Sequence, residues 1–152
     1  MWLAGRAVRG TIVANYDGVR VTMRLEHANI QRSAVRRGSQ VAIQIRIDAI
    51  DQVVEVRGHR IKLSRPATLH ALGVVLAARI RHRAQETLAV TERAHIDAFG
   101  FGRLIAAYQP QAWRRLQAHW PMAMSTIPVE IQVVGHARNT GNLVNPITVA
   151  GG

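Results

Sequence analysis

The sequence predicts an α+β fold: a small antiparallel β-barrel or bent sheet over residues 8–65, packed with one long and one short helix and a returning C-terminal strand. Three observations carry this. Apolar and polar residues alternate with period two in several short stretches within residues 8–65, the mark of half-buried strands. From Pro66 to about Arg93 the apolar period changes to that of a helix. Alternation returns near residue 129. The 152 residues suffice for one core, and no Pro-, Gly- or Ser-rich linker divides them. The expected organisation is a single domain over 1–152: a β-rich part at 8–65, a helical part at 66–120 and C-terminal strands at 127–149.

Thr11–Ala14 opens the first strand, and Asn15-Tyr16-Asp17-Gly18 follows it, with Asp-Gly the residues a tight hairpin turn demands. Val19, Val21, Met23 and Leu25 then alternate with Arg20, Thr22, Arg24 and Glu26. Arg36-Arg37-Gly38-Ser39 punctuates the chain, after which Val41, Ile43, Ile45 and Ile47 alternate with Ala42, Gln44, Arg46 and Asp48. Val54 and Val56, a turn at Arg57-Gly58-His59, and Ile61 with Leu63 predict a further hairpin. Four or five short strands of this kind make a small barrel or a strongly bent sheet.

The long helix has both pattern and boundary. Leu69, Leu72, Leu76, Ile80, Ala84 and Leu88 share one stripe, Ser64 is a candidate N-cap, and Pro66 sits where a missing N–H costs nothing. Gly73 is a weak point, costing about 1 kcal/mol relative to alanine, and the β-branched Val90-Thr91 predicts a break. Asp97-Ala98-Phe99-Gly100-Phe101-Gly102 reads as a tight loop whose rings dock on the core. A short helix follows from Pro110 to before Pro121, with Trp113, Leu116 and Trp120 on one face. Val129, Ile131 and Val133 alternate with Glu130 and Gln132 as the returning strand. Asn139-Thr140-Gly141-Asn142 is turn chemistry, and Ile147-Thr148-Val149 is a further strand or arm.

Charge is the unusual feature. Twenty basic residues face nine acidic ones, for a net charge of +11, and all but Lys62 are arginine. The planar guanidinium fork suits phosphate and carboxylate partners. With no cysteine there is no disulfide, thiolate metal site or cysteine nucleophile. Met1-Trp2-Leu3-Ala4-Gly5-Arg6 lacks the apolar core of a signal peptide, and the apolar run Leu69–Ile80 is too short and too charged to span a bilayer. These features predict a soluble protein inside the cell, neither secreted nor transmembrane.

The interface or phosphate-facing candidates are Arg36, Arg37, Arg79, Arg81, Arg83, Arg114 and Arg115. On the long helix, Arg79 and Arg83 flank one side of the apolar stripe and Arg81 the other, with Glu86 within reach of His82 and Arg83. Such a row either meets phosphates or forms a solvated face whose stems cover the core edge. The seven histidines form no metal-binding spacing, and only His95 and Asp97 stand close. No serine lies in a nucleophile elbow, and Phe99-Gly100-Phe101-Gly102 is too short for a phosphate-binding fingerprint. Few aromatics in the strands disfavour a base-stacking sheet. The expectation is therefore a protein without catalytic residues, cofactor or metal.

One resemblance covers residues 72–149. Leu72-Gly73-x-x-Leu76-Ala77-x-Arg79-Ile80-Arg81-x-Arg83 is followed by Ile96-Asp97-Ala98-Phe99-Gly100 and by Tyr108-Gln109-Pro110 leading into Arg114-Arg115-Leu116. Near the end come Asn139-Thr140-Gly141-Asn142-Leu143 and Ile147. This resembles the tail-completion and head–tail joining proteins of tailed bacteriophages. Pro146 departs from that pattern where serine is common, and residues 8–65 look instead like a generic OB- or TOBE-like barrel. The resemblance implies a non-enzymatic virion component, localised to the virion or cytoplasm, whose partners are other copies of itself and other virion proteins. The alternative reading is a basic β-barrel module that binds nucleic acid along its phosphates.

Overall fold

The computed structural model describes residues 2–5, 9–58 and 61–139. Strand β1 (Thr11–Tyr16) turns through Asp17-Gly18 into β2 (Val19–Arg37), which turns at Gly38-Ser39 into β3 (Gln40–Arg57). Helix α1 (Pro66–Arg93), helix α2 (Phe101–Tyr108), helix α3 (Pro110–Leu116) and strand β4 (Val129–Arg138) complete the order, with short 3-10 turns at Trp2–Ala4, Gln117–His119 and Met122–Thr126. The four strands hydrogen-bond in the order β1-β2-β3-β4.

The β1–β2 pairing is antiparallel, with Tyr16 opposite Val19 across the two-residue turn. Asp17 and Gly18 both have positive φ, 50° and 71°, as a turn matched to strand twist requires. The predicted strand faces are in place: Val19, Val21 and Met23 are buried while Arg20 and Arg24 are exposed. Val41, Ile43, Ile45 and Ile47 are buried too. Ala42 is equally buried, so this part of β3 is covered on both faces.

Several expectations need correction. Among the described residues the sheet is open, with β1 and β4 at its two ends and no closed barrel. The short strands expected within 8–65 are replaced by one hairpin whose arms run 19 and 18 residues. Val54 and Val56 continue β3 rather than starting a new strand, and Ile61 to Leu63 lie outside any strand. Backbone pairing to a neighbour carries a strand through stretches, such as residues 26–33, where alternation in the sequence is weak. Helix α1 passes Val90 and Thr91 unbroken, with the Thr91 hydroxyl donating 2.8 Å to the Leu88 carbonyl. Among the described residues, three α-helices form where one long and one short were expected. The turn at His59, the turn residues Thr140 to Asn142 and the strand at Ile147–Val149 lie outside the described residues.

The chain forms two compact units, and β2, β3, α1 and β4 each contribute to both. One comprises Arg9–Ala28, Asp48–Arg79 and Val134–Gly152. Its buried residues include Ile12, Val21 and Met23 from the first strands, Val53 from β3, and Leu72 and Leu76 from α1. A Cβ on Gly73 would collide with the Gly135 carbonyl, and one on Gly135 with the Gly73 carbonyl. Helix and strand therefore cross backbone to backbone there, which only paired glycines permit. The other unit comprises Met1–Val8, Asn29–Ile47 and Ile80–Val133. Its core holds Leu3, Ile43, Ile45, Ile80, Phe101, Ile105 and Met124.

Candidate interaction surface

All seven predicted arginines are exposed, but they do not form one surface. Arg81 and Arg83 project from α1 beside His82, whose Nε2 lies 3.1 Å from Glu86, so this part of the row is a solvated face. Arg79 stands with Arg20 at an open hollow lined by Asn15 and Val75. Arg37 pairs bidentately with Glu130, its Nε 3.1 Å and Nη2 3.0 Å from the two carboxylate oxygens. The Arg37 hydrogen bond, and then that from Gln44, hold the Glu130 carboxyl below its ordinary range. Arg37 is therefore already committed to a carboxylate.

Arg36 and Arg115 are brought together. Arg36 donates from Nε to the Gly38 carbonyl at 2.9 Å, which folds its side chain back along the β2–β3 turn. Arg115 comes from the last turn of α3. Both line a cavity of about 90 Å³ with Gln109 and Gln111. A second cavity of about 190 Å³ shares Ser39, Gln40, Val41, Ala112 and Arg115 with the first and continues to Leu116 and Ile127. The result is one groove with Arg115 between its ends, Arg36, Gln109 and Gln111 at one end and Leu116, Thr126 and Ile127 at the other. Arg114 is exposed on the same helix but lines neither cavity.

The α3 wall of this groove is set by Asp97. Its Oδ1 accepts the Phe101 N–H at 2.8 Å, and its Oδ2 accepts the Gly102 N–H at 2.9 Å and the Trp120 indole N–H at 3.0 Å. A negative group placed on the first N–H groups of α2 also meets the favourable end of its dipole. Trp120 packs edge-on to Trp113 of α3, ring centroids 5.5 Å apart. Gly102 has no room for a side chain, since a Cβ would lie 2.8 Å from the Trp120 indole nitrogen and 2.9 Å from the Trp113 ring. Gln109, between the two helices, donates to the Ala34 carbonyl of β2.

Arg32 of β2 completes this support. Its Nη2 donates to the Phe99 carbonyl at 2.6 Å, and its guanidinium lies 5.8 Å from the centre of the Phe101 ring. Burial lowers its pKa, an effect the nearby Asp97 charge opposes. Phe99 and Phe101 are buried with rings 5.5 Å apart, the docking expected of that loop. The role of Asp97 was not legible as an isolated residue. Its available signal was an Asp three positions before Gly100, directly ahead of the apolar run Phe101–Ala107.

A second carboxylate behaves differently. Asp51 is fully buried in β3, and neither oxygen has a hydrogen-bond partner among the described residues. Burial, with the charge of Glu26 adding to it, raises its pKa from 3.8 to about 6. It is thus no surface group for a neighbouring chain.

An open four-stranded sheet built on one long hairpin and carrying helices makes this an α+β module rather than a closed barrel. The chain belongs to the family described as spore germination B3/GerAC like, C-terminal, whose model matches residues 1–141. It is 21% identical over 150 residues to spore germination protein KC of Bacillus subtilis (strain 168), covering 97% of this chain and 37% of that protein. The crystal structure of the GerBC protein shares the fold, with a TM-score of 0.76 at 13% identity, over 91% of this chain and 43% of that one. The chain thus spans less than half the length of either.

These findings overturn the resemblance to phage tail-completion and head–tail joining proteins, and with it the virion component and its virion partners. The nucleic-acid-binding barrel falls as well. The motifs behind the phage resemblance have local structural causes. Leu72-Gly73 serves a close helix–strand crossing, and Asp97-x-x-Gly100 caps a helix. Devices of that kind recur on unrelated folds. Among the described residues, no helix is long and apolar enough to cross a membrane.

Proposed function

We propose that this chain is a non-catalytic, protein-binding module of a bacterial spore germination receptor, working in a complex with other germination proteins. The observation that carries this reading is the family match along residues 1–141, nearly the whole chain. The fold shared with the GerBC protein supports it. So does the surface, where exposed arginines and amides offer hydrogen-bond donors for a protein partner. Among the acidic groups, Asp97 caps α2 and Glu130 pairs with Arg37.

The test is genetic and biochemical. Spores made without the region matching residues 1–141, but otherwise normal, should lose the germination response that depends on this gene. Tagged full-length protein from intact spores should co-purify with other germination proteins. An unchanged germination response in the deletion would overturn the proposal.

A further inference from the structure

We propose that the groove between the β2–β3 turn and α3 docks an extended segment of a partner protein in which a bulky apolar side chain neighbours an Asp or Glu. This rests on the reading of the chain as a protein-binding module and names the segment it would take. The cationic end holds Arg36 and Arg115. Arg115 has no carboxylate partner among the described residues, and Arg36 uses one N–H on the carbonyl of Gly38. The unit they belong to carries eleven arginines against four carboxylates in sequence, so its unmet electrostatic demand is for acid.

The other end of the groove decides what kind of acid. Val41, Ala112, Leu116 and Ile127, with Ser39, Gln40, Thr126 and Arg115 at their edges, line a slot of about 190 Å³. Pockets for whole small ligands run at roughly 300–1,000 Å³, so this one suits a single apolar side chain. Gln40 and Gln111 stand where the backbone of such a segment would need donors and acceptors. Inorganic phosphate would leave the slot empty, and a lipid headgroup would place an acyl chain in a slot too small for it. The walls are held beforehand, by the Arg36–Gly38 bond on the turn and by the Asp97–Trp120–Trp113 stack behind α3. A preformed groove spends less binding free energy on ordering.

The test uses the purified chain and a fluorescein-labelled peptide of alternating leucine and glutamate. Matched peptides of serine and glutamate, and of leucine and lysine, serve as controls. Saturable binding is expected for the first alone. Arg36→Glu with Arg115→Glu should weaken it by about tenfold or more. Arg81→Glu with Arg83→Glu makes the same change in net charge and should alter it by less than about threefold. Ala112→Trp, which fills the slot and leaves the charge unchanged, should also abolish binding and guards against an effect on folding by the charge variants.

Equal losses in the two charge pairs, or equal binding of the serine–glutamate peptide, would reduce the groove to general electrostatics and overturn the proposal. No binding of any peptide would do the same. Vesicles of phosphatidylglycerol that displace the peptide through Arg36 and Arg115 would assign the site to a lipid surface instead. Spores carrying the Arg36/Arg115 variant that still germinate and still co-purify their partners would sink the groove while leaving the germination function standing.

Discussion

Two carboxylates show how differently one chemical group can be used. Asp97 meets three N–H donors within 3.0 Å, tying the first turn of α2 to the Trp120 indole. Asp97→Ala removes a helix cap and leaves a part-buried indole N–H without its acceptor. The expected loss is about 2–3 kcal/mol in chemical denaturation, with a red-shifted native tryptophan emission as Trp113 and Trp120 loosen. Wild-type stability in that variant would refute the capping role. Asp51 is the reverse case, since burial favours its neutral form and its folded pKa of about 6 lies above the ordinary 3.8. A carboxyl raised in this way contributes fully below about pH 4, and that contribution is lost as pH rises through about 6. Asp51→Asn should therefore be more stable than wild type at pH 7, by about 1–2 kcal/mol, with little difference at pH 4. Equal effects at both pH values would show that the carboxyl does not titrate in that window.

At the scale of elements, α1 is decided by one face and one crossing. Leu72, Leu76 and Ile80 are fully buried, while Arg79, Arg81 and Arg83 are exposed. Leu76→Ala should cost about 2–5 kcal/mol by leaving a cavity, and Arg81→Ala should stay within about 0.5 kcal/mol. Gly73 is the sharper test. In an ordinary helix, Gly→Ala gains about 1 kcal/mol, but here the new methyl would enter the Gly135 carbonyl. Gly73→Ala is expected to destabilise by about 1–3 kcal/mol, the range for overpacking. A more stable Gly73→Ala protein would mean that the two backbones are not in contact.

For the molecule as a whole, the net charge of +11 sets the solution behaviour. Like charges repel, and added salt screens them over a Debye length of about 10 Å at 0.1 M. The melting temperature should rise between low and moderate salt, by about 2–4 °C for each kcal/mol of repulsion removed. Scanning calorimetry across a salt series measures it. A falling melting temperature would mean that ion pairs such as Arg37–Glu130 and Arg57–Glu55 outweigh the repulsion. Of the acidic residues of β3, Asp51 is buried and Glu55 already holds Arg57 at 2.6 Å, so neither is placed to relieve the repulsion between copies.

The sequence by itself determined what depends on near neighbours in the chain. Period-two burial in β2 and β3, the α1 stripe, the Asp17-Gly18 turn and the docking of Phe99 and Phe101 follow from residues a few positions apart, because local periodicity reports which face meets the core. Strand length, the open sheet and the extra helix α2 were decided by tertiary pairing. Residues with weak patterns adopt the structure that their neighbours in space impose. The same holds for the site. Arginine excess was legible, yet only folding sorted Arg36 and Arg115 into a groove, tied Arg37 to Glu130 and left Arg81 and Arg83 in solvent. Gly73 read as a helix defect until Gly135, from a distant strand, gave it a reason. The family is likewise spread thinly along the chain at 21% identity, so no short motif announced it. The Asp97 cap on α2 was a local signal passed over, while the other missed contacts join residues far apart in sequence and exist only once the chain has folded.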